Sequence, residues 1–128
     1  APFRGETPAE DAYLTMGDGA AVFLKAVHAM TELPANLLAR LKLKAEHLHW
    51  IVPHQANLLL LKEVEKRFPS GAGKVVMTVA TTGNTSGASV GVALASLLEK
   101  PELKRGELVL LASAGGGGLA ACAVLGAP

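Results

Sequence analysis

Short apolar runs alternate with longer stretches of helical periodicity along this chain, and only the last two runs are joined by a turn alone. The runs are YLTM (Tyr13–Met16), LHWIV (Leu48–Val52), KVVMTV (Lys74–Val79), ELVLLASA (Glu107–Ala114) and LAACAVL (Leu119–Leu125). Runs of this length, rich in aliphatic residues and bounded by glycine or proline, are strand signals. The last two flank four consecutive glycines, Gly115–Gly118, and read as a hairpin. Helices alternating with strands until a final hairpin predict an α/β layer around a mixed sheet of five strands.

Between the runs the helical patterns are uneven in quality. From Ala20 to Leu43, apolar residues recur at three- and four-residue spacing: Val22, Phe23, Ala26, Val27, Met30, Leu33, Leu37, Leu38 and Leu41. Pro34 falls inside that pattern and is expected to kink or split the helix after Glu32 or Leu33. A second helix is expected from Gln55 to Phe68, stopped by PSGAG (Pro69–Gly73). TTGNTSGAS (Thr81–Ser89) reads as a loop that leads into an apolar helix ending at Leu98. Residues 1–12 are polar, with two prolines, and read as a loop or linker from preceding sequence; GDG (Gly17–Gly19) reads as a turn.

Composition narrows the possible partners. A chain of 128 residues makes one domain. Half of it is hydrophobic and 18% is charged, which suits a sheet covered on both faces, or a half-domain that buries one side against a partner. A net charge of +1 gives no reason to expect nucleic acid or a membrane surface, and 4% aromatics offer no platform for stacking bases. Cys122 is the single cysteine, so no internal disulfide forms, in keeping with a reducing cytoplasm. Its apolar neighbours mark it as a buried strand residue and not a reactive thiol. No stretch reaches the ~18 uncharged apolar residues of a membrane span. The N-terminus has acidic residues and no apolar core, unlike a signal peptide. The chain starts at Ala1, which fits removal of an initiator methionine or a piece of something longer.

Three places carry residues suited to chemistry. His54 sits where a strand ends and a helix is expected to begin, the end at which α/β sheets hold ligands. A helix N-terminus there would favour the uncharged imidazole, able to donate one hydrogen bond to a carbonyl oxygen; capping its own helix is the plainer role. Asn84 is flanked by Gly83 and Gly87, so it serves either as a turn residue with positive φ or as a second amide donor beside His54. Ser86 or Ser89 is placed to cap the helix that follows. The four-glycine turn lacks the Lys-Ser/Thr pair of a phosphate-binding loop, as does Gly71-Ala72-Gly73-Lys74 followed by Val75. A glycine turn can instead present backbone N–H groups to an oxyanion. His47, His49 and His54 lie too far apart along an extended strand to share a metal ion.

VPHQAN (Val52–Asn57), GNTSGAS (Gly83–Ser89) and LLASAGGGG (Leu110–Gly118) together resemble the C-terminal half of the β-ketoacyl-acyl-carrier-protein synthase III family. YLTMGDGAAVF (Tyr13–Phe23) is similar to the family's entry into that half, and the interval of 30 residues from His54 to Asn84 matches its spacing. The resemblance runs from about Tyr13 to Leu125. It implies a thiolase-like half-domain over residues 13–128, in a cytoplasmic homodimer with α-β-α-β-α layers. The implied activity is an acyltransferase reaction that starts fatty acid biosynthesis. An acyl-CoA primer is joined to malonyl-acyl-carrier-protein with loss of CO₂, without cofactor or metal.

By the same resemblance, His54 and Asn84 hold the malonyl thioester carbonyl, and Gly116 gives a backbone N–H to the oxyanion of acyl transfer. Phe23, Ala56 and Asn57 line the pantetheine tunnel, and Gln55 and Leu59 lie on the segment that meets the carrier protein. Two positions depart from the family: Leu59 stands where an arginine usually helps carrier docking, and Ala114 where a phenylalanine often precedes the glycine turn. The family's nucleophilic cysteine belongs to an N-terminal half with no counterpart in this sequence, so the chain alone is expected to be inactive. Two alternatives stand beside this reading: a non-catalytic acyl-thioester-binding or interaction module, and another thiolase-fold ligase acting on CoA thioesters.

Overall fold

The computed structural model of the protein describes residues 18–128. The linker expected over residues 1–12 and the strand expected over Tyr13–Met16 lie outside them. The first described element, α1 (Gly19–Arg40), starts from Asp18, whose side chain accepts a hydrogen bond from the Ala21 N–H at 3.0 Å. Gly19 therefore belongs to the helix and not to the expected turn.

Pro34 does not split α1. A proline inside a helix costs ~3 kcal/mol. Val27, Met30 and Leu38 are buried on the same face as Pro34 itself. At ~1.5–3 kcal/mol for each large apolar side chain, their burial outweighs that cost. The helix ends instead at Arg40, and two residues later Lys42 takes a left-handed φ of 55°. Leu43 N–H then donates to Leu38 O at 2.9 Å, and Lys42 N–H to Ala39 O at 3.1 Å. Two otherwise unpaired carbonyls are satisfied in this way.

The sheet of the described residues has four strands in the order β2-β1-β3-β4, where β1 is Leu48–Pro53, β2 Lys74–Val75, β3 Leu108–Ala114 and β4 Ala120–Gly126. β1 pairs in parallel with both β2 and β3, and β4 returns antiparallel to β3 through the glycine turn. The sheet is mixed, as expected. β4 lies at its edge, partnered on one side only among the described residues.

Strand alternation decides which side chains go to which face. Ile51, Leu110 and Ala112 lie on the face covered by α1 and α2 (Leu58–Arg67), where Ala112 packs with Val27, Met30, Leu60 and Val64, and Ile51 and Leu110 pack with Leu38 and Leu48. Trp50, Val52 and Val109 face α4 (Ser89–Leu98), meeting Ala93 and Leu97. Cys122 is half-buried between the first face and α1, and desolvation raises its thiol pKa above the ordinary value, as suits an unreactive strand residue.

α4 is uncharged along its whole length, and Val92 and Leu98 are exposed on it. A helix apolar all round belongs between two layers. Among the described residues, only one of those layers is present.

Two elements differ from expectation. The strand expected over Lys74–Val79 leaves the ladder after Val75, and a short helix, α3 (Val79–Thr82), follows. The backbone turns away because the Gln55 side chain, not a neighbouring strand, accepts the N–H groups of Thr78 and Val79. The helix expected from Gln55 begins at Leu58, because Asn57 caps it: Asn57 Oδ1 accepts the Leu60 N–H at 2.8 Å.

Gly73 is where β2 comes closest to β1. A Cβ there would lie 2.5 Å from the His49 carbonyl carbon and 2.6 Å from Trp50 N, both backbone atoms. Gly73→Ala is therefore expected to push β2 off the sheet, at a cost of roughly 1–3 kcal/mol. Urea unfolding of the variant against the parent protein checks this; an unchanged midpoint would show that the two strands separate freely.

Candidate active site

β1 and β3 end together. Pro53 pairs with Ala112, and one residue later His54 N–H donates to Ala112 O at 2.8 Å. Three connections leave this edge of the sheet or arrive at it. They are the joint from β1 to α2, the loop from α3 into α4, and the glycine turn from β3 to β4. The three motifs singled out in the sequence thus map to one end of the parallel pair, the end at which such sheets hold ligands.

His54 is half-buried at the joint. Its Nδ1 lies 2.5 Å from the Ser89 hydroxyl, on the first residue of α4. Ser89 is only 1% exposed and also accepts the Gln55 N–H at 3.2 Å. The expectation that a helix dipole keeps His54 uncharged is corrected here, since α2 begins four residues further on and has Asn57 as its own cap. Burial is the cause instead: desolvation holds the His54 pKa below the ordinary 6.5. Unfolded histidine therefore takes up a proton first as pH falls through 6.5, and this group's contribution to stability is lost below that point.

Gln55 is likewise 1% exposed, and its amide is fully used. Nε2 donates to Pro53 O at 2.8 Å and to Val76 O at 3.0 Å, while Oε1 accepts from Thr78 N–H at 2.8 Å and Val79 N–H at 3.1 Å. A side chain so enclosed cannot meet a carrier protein, and that expectation is corrected. Gln55 instead clasps the joint to the segment that leads to Asn84. Leu59, also expected on the docking segment, is 72% exposed on α2.

Asn84 lies exposed in the loop before α4. Its Oδ1 accepts the Ser86 N–H at 2.9 Å, and its amide NH₂ has no partner among the described residues. The positive φ angles of this loop belong to Gly83 (66°) and Ser86 (52°), not to Asn84. The turn is therefore made around the asparagine and leaves its donor unused. Neither serine caps α4, whose N-cap is Ala88 without a side-chain bond.

Gly116 opens the short 3-10 turn between β3 and β4 and is exposed, with its preceding residue fixed by Gly115 N–H donating to Leu119 O at 2.8 Å. Gly117 and Gly118 take φ of 72° and 73°, a conformation that favours glycine. Phe23 and Ala56 are partly buried together in the α1–α2 cluster, with Ala114 on the same cluster. Asn57 is exposed. His47 and His49 lie apart from this site, their Nδ1 atoms accepting the N–H groups of Lys44 and Leu108.

Sequence reasoning missed the roles of Gln55 and Ser89. For Ser89 a signal exists: a lone hydroxyl opening a helix that is otherwise apolar for several residues. For Gln55 there is none, since three of its four partners are backbone groups more than twenty residues away.

Residues 38–127 match the family of 3-oxoacyl-[acyl-carrier-protein (ACP)] synthase III C-terminal domains. The β-ketoacyl-[acyl-carrier-protein] synthase III of Sodalis glossinidius (strain morsitans) is 43% identical over 110 residues, 86% of this chain and 34% of the relative. Among solved structures, 3-oxoacyl-(acyl carrier protein) synthase III of Pseudomonas aeruginosa PAO1 superposes with a TM-score of 0.73 at 37% identity, covering 85% of this chain and 33% of that one. The 3-oxoacyl-[acyl-carrier-protein] synthase III of Aquifex aeolicus VF5 gives 0.78 at 33%, covering 94% and 39%. The fold is thiolase-like, and the chain spans about a third of the length of the curated relatives it matches. From its matched residues and from its architecture alike, the chain belongs to the 3-oxoacyl-[acyl-carrier-protein] synthase III C-terminal family.

Proposed function

We propose that this chain is the C-terminal half-domain, residues 13–128, of a condensing acyltransferase. That enzyme joins an acyl-CoA primer to malonyl-acyl-carrier-protein at the start of fatty acid biosynthesis. What supports the reading is that the β1–α2 joint bearing His54, the loop that leads through Ser89 into α4 and the glycine turn all lie at the end where β1 and β3 finish. A plain interaction module would not need both an imidazole and an amide donor at that end of the sheet.

In this mechanism the malonyl carboxylate departs as CO₂, and the electron pair of the broken C–C bond moves into the thioester as an enolate. His54 Nε2–H and the Asn84 amide donate to its oxygen, where charge grows. The enolate carbon then attacks an acyl thioester held on a cysteine of the rest of the protein. The Gly116 N–H donates to the oxyanion formed there, until the C–S bond breaks and the thiolate leaves. Phe23, Ala56 and Asn57 line the path of the pantetheine arm. With Gln55 buried and Leu59 apolar, the acidic carrier protein meets exposed basic side chains of α2 such as Lys62 and Lys66. No cofactor or metal takes part. The protein works as a cytoplasmic homodimer, and the outer face of α4 is covered by the N-terminal half.

Intact-mass spectrometry of the native protein, before and after short acyl-CoAs, tests this. A longer chain that gains one acyl group is the expected result, with the 128 residues alone left unmodified. A native product of 128 residues that stays unmodified would leave the condensing activity to its relatives and favour a thioester-binding role.

A further inference from the structure

We propose that Ser89 is a positioning residue that holds His54 in one neutral tautomer, with the ring proton on Nε2. The inference rests on the condensation reading for its purpose, but its geometry stands apart from it. A serine hydroxyl has one proton to donate and two lone pairs to receive with. Among the described residues, the Ser89 hydroxyl meets two groups, the Gln55 N–H at 3.2 Å and His54 Nδ1 at 2.5 Å. The backbone N–H can only donate, so it occupies a lone pair.

The hydroxyl proton is then left with Nδ1 as its acceptor, because Ser89 is 1% exposed and has no surface from which to reach water. An Nδ1 that accepts carries no proton, and a neutral ring must carry its proton on Nε2. The opposite assignment, Nδ1–H donating to the hydroxyl oxygen, would strand a buried donor without a partner. A second proton on the ring would do the same.

The serine is itself held firmly. It opens α4, whose Ala93 and Leu97 are locked into the core, and it is tied to the residue next to His54. The Nε2–H is the donor that the growing enolate needs. Ser89 therefore supplies the correct tautomer before any substrate arrives, without touching substrate itself. The role is distinct from capping, because α4 takes no side-chain cap.

The test uses the intact protein labelled with ¹⁵N-histidine, and reads the His54 ring nitrogens by long-range ¹H–¹⁵N correlation. The parent protein is expected to show a protonated Nε2 and a bare Nδ1. Ser89→Ala is expected to give a mixture of tautomers, and to lower kcat for malonyl-thioester decarboxylation on the order of 10- to 100-fold with KM unchanged. Ser89→Thr, which keeps the hydroxyl, is expected to restore the single tautomer and most of the rate.

A parent spectrum with the proton on Nδ1 overturns the inference even if no variant folds. So does a Ser89→Ala spectrum identical to the parent's. Should the parent protein fail to decarboxylate while Ser89→Ala still scrambles the tautomer, the condensation reading falls and the assignment to Ser89 stands.

Discussion

Replacing His54 by alanine in the intact protein is expected to lower decarboxylation of a malonyl thioester on the order of 10²- to 10³-fold, with little change in KM. The size follows from what the imidazole does in the proposed step. A donor already fixed in place stabilises charge on the thioester oxygen only as that charge develops, so its loss falls on kcat. Asn84→Ala should cost a similar factor. The two together should cost less than the product of the single losses, because both donors serve one oxygen. Acyl transfer from acyl-CoA to the nucleophile should survive in both variants, which separates a lost donor from a lost fold. The parent rate should also fall off at a lower pH than an ordinary histidine would dictate, since desolvation holds the His54 pKa below 6.5. Steady-state kinetics with a malonyl thioester decide the matter, and a His54→Ala variant that decarboxylates at the parent rate would remove His54 from the mechanism.

Gln55→Glu is expected to be as damaging to stability as Gln55→Ala, although it replaces a single NH₂ by an oxygen. The amide donates to two carbonyls, of Pro53 and Val76, and accepts from two backbone N–H groups. A carboxylate keeps the second pair and turns the first into repulsion between oxygens, in a place that is 1% exposed. Each buried polar group left without a partner costs ~1–3 kcal/mol, so the loss of two such bonds amounts to about 2–6 kcal/mol. Alanine strands four backbone groups but lets the segment relax. Chemical denaturation of the intact protein measures both, and a Gln55→Glu midpoint close to the parent's would mean that water reaches this amide. Because the clasp joins His54's strand to the run leading to Asn84, condensation should weaken in either variant before the protein unfolds.

Much of this was legible in the chain itself, and the particular elements show why. Period-2 and period-3.6 patterns located β1, β3, β4 and the helical segments, because those elements bury one face against a neighbour and the pattern records it. The convergence of His54, the Asn84 loop and the glycine turn was legible through the family resemblance, not through spacing. Of the two outcomes expected at Pro34, the split does not occur, because the burial of a whole helix face outweighs one lost hydrogen bond, and a local rule cannot weigh that. The extended strand after Val75 was misread because its would-be ladder partner is the amide of a distant glutamine. Ser89 looked like a cap for the same kind of reason: local chemistry offered one partner, and the tertiary fold supplied another.

The position of β4 at the rim of the sheet has a consequence for handling the protein. Seven residues without charge or proline, AACAVLG, present one unsatisfied row of N–H and C=O groups among the described residues. Proteins commonly guard such a rim with lysine, proline or a bulge, and this strand has none of the three. Such a rim is a template on which a second copy's strand can add, and two identical rims meeting antiparallel across a two-fold axis make a closed pair. Refolding at high concentration favours pairing of copies through this rim, and dilute conditions, or a companion strand supplied in advance, favour isolated molecules.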